Sequence, residues 1–317
     1  KPSIIESYPG GNILLGNSRY LSVATNPELL QYKGETLVVT DGTTLLGGDD
    51  KAGIAQIMAV ACKLSDEPTF KHGPVELYFT SDEEVDCGMN FFPYDQSTCT
   101  WCYTMDGEKR YLIDTECFNA AAVHILVEGV SYHLGSGRGK IVNAVTIASA
   151  IAQALPHAES PEATDERYGY YCPLKIQGTL EKATLDVYVR DFDLKNLNRR
   201  IETIKTLAST MSSLYVGSKI HVEATNQYYN LAEEVKKDPR ALQIVHDAGK
   251  ALHMPLQETQ IRGGTDGAWM AQARKIPCLN LFTGCYNRHS VYEWVALPAM
   301  EEGSLLLLKI LELATQY

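Results

Sequence analysis

The sequence predicts an α/β protein with a smaller α+β domain inserted into it. From Glu35 to about Asp106, strand-like and helix-like segments alternate, the pattern of a mostly parallel α/β sheet. The middle of the chain changes to strands interleaved with helices, as in a small α+β domain. Near the end the first pattern returns. These shifts divide the chain into residues 1–117 and 230–317 as the two parts of the main domain, with 118–229 as the insertion.

Each element has a local reason. Leu37-Val38-Val39 is a short β-branched run, and Ala52 to Leu64 carries apolar residues at helical spacing. Val75 to Phe79 and Trp101 to Met105 are the next predicted strands. In the insertion, Ala120 to Val127 and Leu185 to Val189 are strand-like around the helical stretch Asn143 to Ala154. A second helix is expected over Leu197 to Leu214, followed by a strand from Lys219 to Ala224. The chain closes with a strand at Pro277 to Phe282 and an amphipathic helix from Leu297 to Ala314. There is no internal repeat and no low-complexity segment.

Composition narrows the function. The formal net charge of −11 argues against nucleic acid or an anionic membrane as the main partner. The longest apolar run, Leu305 to Leu313, is broken by Lys309 and Glu312, so no segment is predicted to span a bilayer. No signal peptide is visible. Eight cysteines in 317 residues are too sparse for a disulfide scaffold, which points to a reducing, cytoplasmic setting. Cys99 and Cys102 have C-x-x-C spacing without a second pair or nearby His, and are taken as buried thiols. The chain begins at Lys1 without an initiator Met, as a processed or trimmed product would.

Acidic residues recur just after predicted strands. Asp49 and Asp50 follow the first strand and its loop, Glu83 and Glu84 follow Val75–Phe79, and Asp106 follows Trp101–Met105. In open α/β sheets, ligands bind outside the carboxyl ends of the strands, so these loops are expected to bring the carboxylates together. Clustered carboxylates repel unless a positive charge joins them or they take up protons. His289 follows the Pro277–Phe282 strand and supplies an imidazole. Carboxylate oxygens with an imidazole nitrogen suit zinc, with a position left open for water.

The stretches Asp49-Asp50-Lys51-Ala52-Gly53, Ser81-Asp82-Glu83-Glu84-Val85, Tyr103-Thr104-Met105-Asp106-Gly107 and Arg262-Gly263-Gly264-Thr265-Asp266-Gly267 together resemble the tripeptide aminopeptidases of the M20 metallopeptidase family. Asn280 to Asn287 extends the likeness, which runs in correct order over the whole chain. The resemblance implies a zinc-peptidase catalytic domain with a mostly parallel sheet, its N-terminal part missing, and an inserted α+β lid domain. It implies two zinc ions acting on short peptides. Asp49 would bridge both across a cis Asp49–Asp50 peptide, Glu84 and His289 would bind one, and Asp106 the other. Glu83 would be the general base. His133 in the lid would stabilise the oxyanion, although Leu134 replaces the family's usual Pro after it. Asn143, Arg190 and Arg262 would hold the substrate backbone and its terminal carboxylate.

The family's earlier His-x-Asp motif has no match, since none of the eight histidines is followed two positions later by Asp. Its absence would leave Asp49, Glu84 and His289 for one metal and only Asp49 and Asp106 for the other, so weak or absent activity is expected of this chain. The alternatives are an inactive peptide-binding fragment or paralogue, and an M20 hydrolase acting on N-acyl amino acids. Side-chain preference, native metal and oligomeric state are not determined by the sequence.

Overall fold

The computed structural model describes residues 1–85 and 87–317. The chain opens with β1 (Ser3–Ile5), the short strands β2 (Ile13–Leu14) and β3 (Tyr20–Leu21), then β4 (Leu37–Val39), helix α1 (Gly48–Asp66) and strands β5 (Cys102–Gly107) and β6 (Leu112–Cys117). It continues through β7 (Asn119–Glu128), α2 (Ala144–Ala154), β8 (Tyr170–Gly178), β9 (Lys182–Asp191), α3 (Leu194–Leu214) and β10 (Lys219–Tyr228). Helices α4 (Ala232–Lys237) and α5 (Arg240–Ala251), strand β11 (Gln257–Ile261), helix α6 (Asp266–Arg274) and strand β12 (Cys278–Phe282) follow. The chain closes with β13 (Cys285–Tyr286), β14 (Trp294–Ala296) and α7 (Leu297–Leu313). No helix among the described residues is long and apolar enough to cross a membrane.

Two compact units result. One comprises Lys1–Glu116, Leu231–Gln260 and Thr265–Tyr317, and the other Cys117–Asn230 with Ile261–Gly264. The first contains two sheets, ordered β1-β4-β14-β13 and β11-β6-β12-β5. In the second of these, β12 runs parallel to β5 and antiparallel to β6, so the sheet is mixed. All residues of β12 are buried, and its unbroken apolar character except for Asn280 is that of a central strand. A separate core lies under β4 and β14, where Tyr286 stacks on Trp294 at 4.1 Å between ring centroids and the Tyr32 and Tyr286 hydroxyls lie 2.6 Å apart.

The second unit is an antiparallel sheet ordered β10-β7-β9-β8. Along β7, Val123, Ile125 and Val127 are buried while His124 and Glu128 are exposed, the alternation of a sheet with one covered face. Ile147 and Ile151 from α2, with Leu197, Ile201 and Ile204 from α3, complete that core. Asn143 caps α2 by accepting from the N–H groups of Val145 and Thr146, and Asp193 caps α3 in the same way.

One expected element is absent. Val75–Phe79 pairs with no strand among the described residues, and Leu77, Tyr78 and Phe79 are largely exposed. The segment is tied down by side chains instead: Glu76 accepts from the backbone N–H and hydroxyl of Thr98 and from the hydroxyls of Ser97 and Tyr78. Its apolar composition alone could not specify a sheet neighbour. Cys99 and Cys102 are free thiols and half-buried.

A buried amide ties three strands of the mixed sheet together. The Asn280 side chain on β12 accepts from the Thr104 hydroxyl at 2.9 Å and the Asp106 N–H at 3.0 Å on β5, and donates to Asp114 on β6 at 2.8 Å. Burial pushes the Asp114 carboxyl up to about 6, against the Asn280 hydrogen bond, which works downward. A carboxyl raised in the fold stabilises below its unfolded pKa, and that contribution is lost as pH rises through the folded value. Asp114→Asn, which cannot ionise, should therefore match the wild type in stability near pH 4. It should become the more stable by up to about 3 kcal/mol at pH 7.5. Urea unfolding at both pH values measures this, and an equal gap at the two would refute it.

Candidate metal centre and active site

Helix α1 begins in an unusual way. Gly47 caps it with φ of 73°, a left-handed conformation that favours glycine, and Asp49 and Asp50 depart from helical geometry with a cis peptide between them. Gly53 lets the helix press against β5. A Cβ there would lie 2.0 Å from the Met105 carbonyl oxygen and 2.5 Å from the Asp50 carboxylate. The Asp50 carboxylate is folded back to accept from the Gly53 N–H at 3.2 Å.

Glu293 holds this loop in place. Its buried carboxylate accepts from the N–H groups of Gly47 at 2.7 Å and Asp49 at 2.8 Å, and from the Cys285 thiol at 3.3 Å. Burial, with Glu293 adding to it, keeps that thiol protonated. No motif or spacing in the sequence singles out Glu293. A clue was present, since an acid between Tyr292 and Trp294 in an apolar run is out of place unless buried donors face it.

The Asp49 carboxylate faces two ways. Its Oδ2 lies 3.1 Å from His289 Nε2, and the same nitrogen lies 3.0 Å from Glu84 Oε2. Its Oδ1 faces Arg288, whose Nη1 is 3.7 Å away. The same Nη1 donates to the Asp106 carboxylate at 2.8 Å and to the Asp106 carbonyl at 2.9 Å. The loop carrying His289 and Arg288 has Asn287 and His289 at positive φ, and Asn287 is anchored by donating to Asn26 and to the Tyr292 carbonyl. Glu83 and Glu84 open a short 3₁₀ turn, with Glu83 half-buried and Glu84 exposed.

Crowding of carboxyl groups shows in their proton affinities. Burial pushes Asp50 up to about 8, with Asp49 and Glu83 adding to the rise and the Gly53 N–H and Arg288 opposing it. Burial likewise raises Asp106 well above the ordinary carboxylate range. Arg288 works against that shift, and Asp50, Asp49 and Glu83 reinforce it. Such a cluster favours any cation that can enter.

Asp49, Glu84 and His289 form one group whose ligand atoms lie within 4.8 Å of one another. Two carboxylate oxygens around one imidazole nitrogen are a donor set suited to a divalent cation with an open position, so these residues fit a metal. A second group, Asp49, Asp50 and Asp106, contains carboxylates alone and has the Arg288 guanidinium beside it.

The remaining residues singled out in the sequence lie in the second unit. His133 is exposed and precedes the 3₁₀ turn Leu134–Ser136. Arg190 is buried, donates from Nη1 to the carbonyls of Ala121 and Val189, and lies over the rings of Tyr188 and Tyr228. Of its acidic neighbours, Asp191 pairs with Arg200 at 2.9 Å, and Asp193 caps α3. Arg262 donates to the carbonyls of Thr164, Asp165, Glu166 and Tyr168 and to the Thr164 hydroxyl. Tyr170 lies within electrostatic reach of both Arg190 and Arg262.

Comparison with known proteins bears on this geometry. The sequence model of peptidase family M20/M25/M40 matches residues 36–313. Peptidase T of Geobacillus thermodenitrificans is 38% identical over 317 residues, covering 99% of this chain and 77% of that protein. Peptidase T of Pectobacterium carotovorum is 40% identical over 314 residues, 98% of this chain and 76% of that one. A solved tripeptidase from Staphylococcus aureus matches with a TM-score of 0.76 at 18% identity, over 89% of this chain and 74% of its own. Aminopeptidase PepT from Bacillus cereus matches with a TM-score of 0.72 at 22% identity, over 87% of this chain and 74% of its own. At these identities the structural matches speak for the fold.

The Glu293 tie makes a direct prediction. Glu293→Ala leaves the partly buried N–H groups of Gly47 and Asp49 without their acceptor and should cost about 2–4 kcal/mol in urea unfolding. Glu293→Gln, which keeps one acceptor oxygen, should cost less. Equal stability of the alanine variant and the wild type would show that the loop holds itself.

Proposed function

The chain belongs to peptidase family M20/M25/M40, and from that premise we propose that it is a metal-dependent aminopeptidase releasing the N-terminal residue of short peptides, tripeptides foremost. The observation that carries this reading is the convergence of Asp49, Glu84 and His289 at bonding distance. It is joined by a match to Peptidase T relatives over almost the whole chain.

In this reading Asp49, Glu84 and His289 hold the cation, with Asp106 on the other side of Asp49. Zinc is the proposed metal, because the donor set is one imidazole with carboxylate oxygens. When bound, such a cation polarises the scissile carbonyl and acidifies water at the site. Glu83, beside the ligand Glu84, is the proposed general base. It accepts a proton from water as the oxygen attacks the peptide carbonyl carbon, then delivers it to the departing amine. His133 is the proposed donor to the developing oxyanion.

Asn143, Arg190 and Arg262 are the proposed partners of the substrate backbone and C-terminal carboxylate. Arg190 and Arg262 now rest on neutral carbonyl and hydroxyl oxygens. A carboxylate forms charge-assisted hydrogen bonds roughly twice as strong, so it can displace those contacts. A cytoplasmic location is proposed because eight cysteines in 317 residues are too few for a disulfide scaffold.

Hydrolysis of a tripeptide with a free N-terminus, followed by amine release, tests the proposal. Turnover should require added zinc and fall by roughly 10²-fold or more in Glu83→Gln, with bound zinc unchanged by elemental analysis. Undiminished activity in that variant would remove Glu83 as the base. Faster cleavage of an N-acyl amino acid than of the tripeptide would reassign the substrate class.

A further inference from the structure

The family's metal chemistry calls for cations on both sides of Asp49, yet the two sides of this site are built differently. On one side, Asp49 Oδ2 and Glu84 Oε2 flank the exposed imidazole of His289, at 3.1 Å and 3.0 Å from its Nε2. On the other side lie Asp106 and Asp49 Oδ1, and a positive charge already stands between them. Arg288 Nη1 is 2.8 Å from Asp106 Oδ1, 2.9 Å from the Asp106 carbonyl and 3.7 Å from Asp49 Oδ1. The Arg288 side chain is 20% exposed, against 69% for His289.

Three physical points follow. A guanidinium stays charged under all folding conditions, so its neutralisation of Asp106 is permanent. Its planar N–H groups are directional, and contacts with both the carboxylate and the carbonyl of one residue fix where it sits. A divalent cation placed between Asp49 and Asp106 would have to displace that group or lie against it, with repulsion that a partly buried setting screens poorly. The Asp49–Asp50–Asp106 group also offers no imidazole nitrogen.

We propose that Arg288 is a built-in cation that takes the place of a metal on the Asp106 side of the site. The chain therefore loads one divalent cation, at Asp49, Glu84 and His289, and Asp49 bridges that ion to a guanidinium rather than to a second metal. The proposal rests on the reading of Asp49, Glu84 and His289 as metal ligands. It also assigns Arg288 a positioning role, because the guanidinium holds Asp106 and turns Asp49 Oδ1 away from His289.

Calorimetric titration of the metal-free 317-residue chain with zinc chloride, checked by elemental analysis after dialysis, tests it. The wild type should bind one zinc. Arg288→Gln, which removes the charge, should bind a second one at least tenfold more weakly than the first. His289→Ala should weaken the first event at least tenfold. Two zinc ions in the wild type, or one in both the wild type and a folded Arg288→Gln chain, would overturn the proposal. If Arg288→Gln fails to fold by circular dichroism, the wild-type stoichiometry decides alone, one supporting and two overturning. A wild type without zinc alongside an Arg288→Gln chain with one would sink the His289 ligand set and leave the Arg288 assignment standing. No zinc in either would overturn both.

Discussion

Like charges gathered in a partly buried space must be answered by opposite charge, and the centre of the first unit is organised around that constraint. Burial raises the proton affinity of Asp50 and Asp106, and the neighbouring Asp49 and Glu83 carboxylates add to the rise. Left alone, such a group would take up protons or spread apart. Two responses are built into the chain. Arg288 brings a permanent charge to Asp106, and the open face of His289, Glu84 and Asp49 offers ligands to an ion from solution.

The frame that holds the acids in place is itself polar and buried. Glu293 anchors the loop before α1 by its backbone N–H groups, and Asn280 joins β5, β12 and β6 beneath Asp106. Each uses nearly its full hydrogen-bonding capacity, which is the condition under which buried polar groups specify a geometry instead of weakening a core. The acids thus have little freedom to relieve their repulsion by moving. That rigidity turns a charge problem into an affinity for cations.

Much of the fold was legible from local signals. Strand β4 coincides with the β-branched run Leu37–Val39, α7 with the amphipathic stretch after Leu297, and α2 with the segment that Asn143 opens. Val75–Phe79 has the composition of a strand and forms none, because β-rich composition says nothing about whether a neighbouring strand is there to receive its hydrogen bonds. The pairing of β12 with both β5 and β6, one parallel and one antiparallel, was equally invisible to composition. Register between strands far apart in sequence is decided by packing, not by local preference.

The sequence by itself determined the chemical inventory: acids placed after strands, one histidine in the last loop, and motifs whose order marks the family. Those features are local or depend on spacing along the chain. Only the tertiary structure decided that Arg288 faces Asp106 and Asp49 while its neighbour His289 faces Glu84 and Asp49. It also brought Glu293 to the N–H of Gly47, 246 residues away. Adjacent side chains in an irregular loop point where that loop's backbone angles send them, and here positive φ at Asn287 and His289 sets those directions. No spacing rule carries that information, because it arises from anchors such as Asn26 that lie in a distant part of the chain.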